Sequence, residues 1–429
     1  MAEELTLDRL ERAVAGSAAA FRCRRRLQPA GGVGDKVFPP TFAGAVYAIE
    51  RRRVERVNGQ QDPAEGEART EPVQCVLLDT VQSQANRMEL ALQDAVDAGK
   101  IRLPLIIVDF SEHDPTGDLE EDQKSGRLLE AVGRLTSLQV PHRLADAILR
   151  DSELDGVPFR KSEKGKALNR VSFRNATPLF EMCPTALVYG MWDSTGPKGG
   201  LGPKFERAMV SEVVGIAAEV GDLRRGVRRD PLQISKNVLV VANEDRSLRK
   251  VAEGKEKGVR PSEINHSSVP FPEQRDTKTE RNYYDGVTIE YAEQTTTLSL
   301  IVLRRLAFPV NGKRTDAADT AARTVLAALG LCAATLAFEA GLALRSRCLL
   351  WPDGPMVWQL LDRPGEQPEE FLLSSSGAIE LLNSAIAKAR AAGLPWPEEP
   401  LVLKPSPALV DLVRRSQGEL VREGVAAGA

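Results

Sequence analysis

The sequence predicts an α+β fold, a layered core in which strands and helices alternate irregularly around large insertions. Three observations carry this. Apolar runs of strand length recur at Phe21–Leu27, Val73–Leu78, Ile101–Phe110, Thr185–Trp192 and Asn237–Ala242, with helix-period stretches between them. The alanine-rich run Val325–Leu344 contains Glu339 and is bracketed by Arg323 and Arg345, so it reads as a buried core helix rather than a membrane span. Asn243–Asp285 alternates charges around Pro261, Pro270 and Pro272 with no core pattern, and reads as a long protruding insertion.

In chain order, Leu5–Ala20 is a short helix. Phe21–Leu27 follows as a strand crowded with arginines. A period of two puts Arg22, Arg24 and Arg26 on one face and Phe21, Cys23, Arg25 and Leu27 on the other. Arginines this dense suit a phosphate track or a solvated strand face. Val46–Val57 is strand-like and carries Arg51, Arg52, Arg53 and Arg56; residues 58–72 form a polar, mobile linker. After Val73–Leu78, Asp79 with Gln82 has the form of a capping box, so a helix starts there and runs to Ala98. Its first turns show Gln82, Ser83, Gln84, Asn86 and Arg87, which can hydrogen-bond a sugar–phosphate backbone or simply cap and solvate the helix. Ile101–Phe110 is a strand and Ser111–Ser125 an acidic loop. Leu128–Leu149 is helical around Pro141, and Asp151–Lys166 is a polar insertion.

The central stretch is Ser172–Glu212. Thr185–Trp192 reads as a strand that opens into a loop holding Gly196, Pro197, Lys198, Gly199, Gly200, Gly202 and Pro203, and helical periodicity from Lys204 continues through Ile216. A glycine turn at a helix start directs backbone N–H groups and a positive dipole end outward, which suits a phosphate; Lys198 and Lys204 flank it. It is neither a P-loop, which needs Gly-Lys-Ser/Thr, nor a dinucleotide fingerprint, because Phe205 stands where the third glycine belongs. Glycines for turn geometry alone are the simpler reading. Against it, Gly31-Gly32-Val33-Gly34-Asp35-Lys36 repeats the order of Gly199-Gly200-Leu201-Gly202-Pro203-Lys204. Two such loops fit an extended polyanion better than one small ligand. Beyond them, Gly221–Lys236 carries the basic cluster Arg224, Arg225, Arg228 and Arg229, and a helix closes the chain after Pro405.

Composition limits the function. A net charge of −3 argues against a free nucleic-acid binder, yet leaves room for a basic groove backed by acidic surface. The five cysteines form no C-x-x-C pair and mostly sit in apolar surroundings, as reduced thiols of a cytoplasmic protein do. His113, His142 and His266 are too far apart for a Cys/His zinc site, and no cofactor is expected. The charged N-terminus lacks the apolar core of a signal peptide. Asp79, Asp109 and Asp193 each follow a strand, but caps and turns account for them and nothing in the sequence pairs them. No nucleophile–base arrangement or G-x-S-x-G elbow stands out.

The runs RRLQPAGGVGDKVFPPTF, LLDTVQSQANRME, PHRLADAILRDS, NATPLFEMCPTALVYGMWDSTGPKGGLGPKF, AARTVLAALGL and LRSRC resemble the Csb-type backbone protein of type I-U (also called I-G) CRISPR surveillance complexes, in the Cas seven branch of the RAMP superfamily. The resemblance spans roughly Arg25 to Trp351. It implies one elaborated domain over 1–429, with an RRM-like (ferredoxin-like) palm and inserted fingers and thumb, residues 243–285 being the candidate thumb and 405–429 a C-terminal helix. It also implies that copies stack along a guide RNA (crRNA), present it to a target DNA strand among other Cascade subunits, and do not catalyse. Gly199, Gly200, Gly202 and Lys204, the run Gln82–Arg87, and Gly31–Lys36 match the motifs that would hold that RNA. A subunit accepting any guide must read phosphates and 2′-hydroxyls rather than bases. The alternative is a metal-dependent endoribonuclease of the same superfamily.

Overall fold

The computed structural model describes residues 2–43, 46–55, 70–196, 199–220, 227–228, 230–243, 246–254, 256–266, 269–270, 275–276, 281–282 and 286–426. The fold is α+β. Thr6 caps α1 (Leu7–Ala15) by accepting from the Arg9 amide, and β1 (Ala20–Pro29) enters the core directly after it. β2 (Ile49–Glu55) and β3 (Thr70–Asp79) follow, then α2 (Val81–Asp97), β4 (Met209–Ile216) and β5 (Tyr291–Ser299). The chain goes on through α3 (Asp316–Phe338), β6 (Cys348–Pro352), β7 (Val357–Leu361), β8 (Glu369–Leu372), α4 (Ser375–Ala391) and α5 (Pro407–Ala426).

These strands form a ten-stranded sheet in the order Glu3–Glu4, β8, β7, β1, β5, β4, β3, β2, with β6 and Leu342–Arg345 attached beside β1. Its middle, β7-β1-β5-β4, is antiparallel throughout. α2 lies in the connection from β1 to β4, α3 lies in that from β5 to β7, and the two helices pack together. Strands and helices therefore run β-α-β-β-α-β through the centre. The connection from β4 to β5, residues 217–290, is one long insertion whose described parts are short two-stranded ribbons, among them Val240–Ala242 with Leu248–Val251. A second sheet joins Leu401–Pro405 to Ile106–Asp109 and three short strands.

α3 is the centre of the core. Small side chains at Ala321, Ala322, Ala327, Ala328, Ala333 and Ala334 let α1, α2 and α4 pack against it. It is long and apolar enough to cross a membrane by length and composition, and 83% of that window is buried inside the protein.

Several expectations are corrected. Thr185–Tyr189 is a helix, and only Met191–Trp192 is strand. Every residue of that helix is buried, so the run has no period to separate helix from strand. Residues 209–216 are the interior strand β4 rather than a helix. Val213 faces the main core while Val214 and Ile216 join a smaller apolar cluster with Val54, Cys75 and Tyr291 on the other face. Two buried faces erase the alternation that marks a strand. The glycine loop thus precedes no helix, and the dipole argument for a phosphate falls there. Residues 70–72 belong to β3, while 58–69 of the expected linker lie outside the described residues. Ser111–Ser125 contains a 3₁₀ turn and the helix Leu119–Ser125. Leu128–Leu149 is not one helix but the strand Arg134–Thr136 followed by short turns.

Candidate nucleic-acid interface

Alternation in β1 sorts its arginines as the sequence predicts, and their partners separate their roles. Arg25 points inward and is 7% exposed. Its Nε donates to Gln294 Oε1 (2.8 Å), and its Nη2 donates to the Phe338 carbonyl at the end of α3. The guanidinium therefore caps the negative end of the core helix, where four carbonyls lack intrahelical partners. Burial lowers its pKa from the ordinary value.

The same buried network continues. Gln294 Nε2 donates to Gln84 Oε1 (2.9 Å), and Gln84 Nε2 donates to Asp79 Oδ2 (2.6 Å). Arg87 Nε reaches the same Asp79 oxygen (2.9 Å), while its Nη1 and Nη2 donate to the carbonyls of Ala343 and Leu344. Arg345 pairs with Asp79 at 3.5 Å and Ser211 donates to Gln84. Arg25, Gln84 and Arg87, three of the predicted phosphate contacts, thus hold β1, β3, β4, β5, α2 and α3 together from inside. Thr80, not Asp79, caps α2, accepting from the Ser83 amide. Of the predicted contacts on α2, Gln82 and Asn86 are exposed and Ser83 is half-buried.

Arg22, Arg24 and Arg26 lie on the opposite, open face. Arg22 donates to Gln359 Oε1, Arg24 pairs with Glu293 at 2.7 Å, and the Arg26 guanidinium lies 4.2 Å from the centre of the Tyr291 ring. Across β5 the register sets Arg22 opposite Thr297 and Arg24 opposite Thr295. Further across the sheet, Arg52 on β2 pairs with Glu212 on β4 at 2.6 Å. The face is a mixed field of arginines, threonines and glutamates. Its arginines are held extended by neighbours, and no one-signed strip forms.

The two glycine loops sit at opposite ends of this sheet. Gly31–Lys36 leaves the Pro29 end of β1 through a turn in which Gly32 and Gly34 have φ of 94° and 84°, a region only glycine enters freely. The second loop closes a hairpin pairing Met191 with Phe205 and Trp192 with Lys204, and leads into Met209, level with Leu298 and Phe21 at the other end of β1. Roughly 25 Å of strand separates the ends. Gly199 and Gly200 have open space around them, whereas a side chain at Gly202 would collide with the Asp193 carbonyl at 1.9 Å. Gly202 is therefore needed for closure of the hairpin. Each loop shows an aliphatic residue at its tip, Val33 at 84% and Leu201 at 89% exposure.

Lys198, Arg224, Arg225 and Arg229 lie outside the described residues, and of Arg228 only the backbone is described, paired with Val269. Sequence reasoning missed Thr295 and Thr297 on the open face. It also missed Trp192, whose ring is 53% exposed beside Lys204. Period-two reading of YAEQTTTLS would have found the threonines; Trp192 was hidden by treating 185–192 as one buried strand. The carboxylates after strands are engaged: Asp109 accepts from the Ser111 amide, and Asp193 pairs with Arg160. Among the described residues no group of three His, Cys, Asp or Glu side chains gathers to hold a metal.

A family model described as CRISPR-associated protein GSU0053 matches residues 21–220, which contain both glycine loops, α2 and nearly all of β1. No curated protein matches the chain.

Proposed function

We propose that this CRISPR-associated protein is the non-catalytic backbone subunit of a type I-U/I-G surveillance complex, holding guide RNA by its sugar–phosphate backbone in the cytoplasm. The observation that carries the reading is the open face of the central sheet, where Arg22, Arg24 and Arg26 stand in alternate positions between two glycine loops. Pre-oriented guanidiniums and threonine hydroxyls suit phosphates and 2′-hydroxyls, which every guide shares. The β-α-β-β-α-β centre is the RRM-like palm of this proposal, and residues 243–285, within the 217–290 insertion, are the thumb that meets the neighbouring copy. Other complex subunits and the target DNA strand are its further partners. Because glutamates alternate with the arginines, holding depends on placed donors more than on a long-range field.

The test is stoichiometry. Pure protein is mixed with single-stranded RNAs of increasing length, and bound copies are counted by mass photometry, with RNA integrity followed with and without magnesium. Copies are expected to rise stepwise with length while the RNA stays intact. One copy at every length sinks the filament; cleavage that needs magnesium favours an endoribonuclease.

A further inference from the structure

We infer that the cleft beside the glycine hairpin is a nucleobase pocket, in which an unpaired base of the held strand stacks on Trp192; this rests on the RNA-binding reading above. The hairpin is a firm mount. Met191 and Phe205 are buried, and the Phe205 ring lies 5.3 Å from that of Phe173 in edge contact. The alternate pair, Trp192 and Lys204, is forced outward. Gly190, at φ 83°, turns the chain from helix to strand, a backbone region that favours glycine, and a side chain there would crowd the Phe205 carbonyl and Arg207 at 3.0–3.2 Å. The indole is thus held open on a rigid support, with the Lys204 ammonium 5.3 Å from its centre.

The cleft measures about 650 Å³, within the range of small-ligand sites, and His142, Arg207, Glu206 and Val210 line it with Trp192 and Lys204. Its chemistry is that of a base site: an aromatic ring that can take any base on the face not covered by the Lys204 ammonium, and polar groups at the rim. Glu206 is itself oriented by Arg305, 2.7 Å away. Position connects the cleft to the phosphate face. Val210 is in register with Thr297, and Thr297 with Arg22, so the pocket opens two strands from the first arginine, on the order of 10 Å. That is within reach of one nucleotide turned off the backbone.

The experiment compares fluorescein-labelled single-stranded RNA with an RNA of equal length whose central nucleotides are abasic. The unaltered protein is expected to prefer the base-bearing RNA by about tenfold, from stacking alone. Trp192→Ala removes that preference without changing affinity for the abasic RNA, and Trp192→Phe keeps most of it. If the alanine variant retains the preference, the cleft has another occupant and the inference is wrong while RNA binding stands. If the unaltered protein binds neither RNA, both readings fall together.

Discussion

The two faces of β1 carry the same side chain into different work. Arg25 faces α3, takes Gln294 and a helix-end carbonyl as partners, and is withdrawn from any ligand. Arg24 and Arg26, one residue away on either side, and Arg22, three away, face outward, where Glu293, Tyr291 and Gln359 hold them in position. An arginine is thus defined by what it touches; local density of positive charge says little. The same lesson applies on α2, where Gln84 is buried in the network and Gln82 is exposed.

That contrast can be broken by substitution. The largest effect is expected at Arg25→Ala, which strands Gln294 Oε1 inside the core, takes one of two donors from the Phe338 carbonyl and leaves a void; a loss of about 3 kcal/mol in urea unfolding is expected. An unchanged midpoint would place Arg25 with its outward neighbours. Next comes the triple change Arg22→Ala, Arg24→Ala and Arg26→Ala. RNA affinity should fall by roughly tenfold or more at low salt, and the log–log salt slope by about 2, with unfolding shifted by less than about 1 kcal/mol. A slope that stays the same would remove these arginines from the interface. Gln84→Ala should cost about 1–2 kcal/mol by taking one partner each from Asp79, Gln294 and Ser211, against under about 0.5 kcal/mol for Gln82→Ala; equal costs would contradict the inner network. The smallest signal is protection. Burial pushes the Cys23 thiol up to about 11 and that of Cys332 to about 12. Alkylation at neutral pH should therefore spare both until the protein unfolds, and rapid labelling of native protein would show the inner face to be open.

Much of the site could be read in advance. The alternation of β1 needs only its own sequence, and so do the helical stretches of α1 and α2, the buried cysteines and the alanine-rich helix; the cap of α2 did not follow, since Thr80 holds the place expected of Asp79. Errors gathered where burial is complete. Thr185–Tyr189 is buried on every side and the second half of Met209–Ile216 is buried on both faces, so period could not tell helix from strand, and each was assigned the other's state. Trp192 emerged only when that boundary moved.

By itself the sequence determined which side chains share a face within one element, because the pitch of a strand or helix is a local property of the backbone. Only the tertiary structure decided which face met solvent and which polar groups were consumed inside. Asp79, Gln84, Arg87, Gln294 and Arg345 meet across as many as 266 positions of chain, counted from 79 to 345. Those pairings depend on strand order, and strand order arises from burial summed over the whole core.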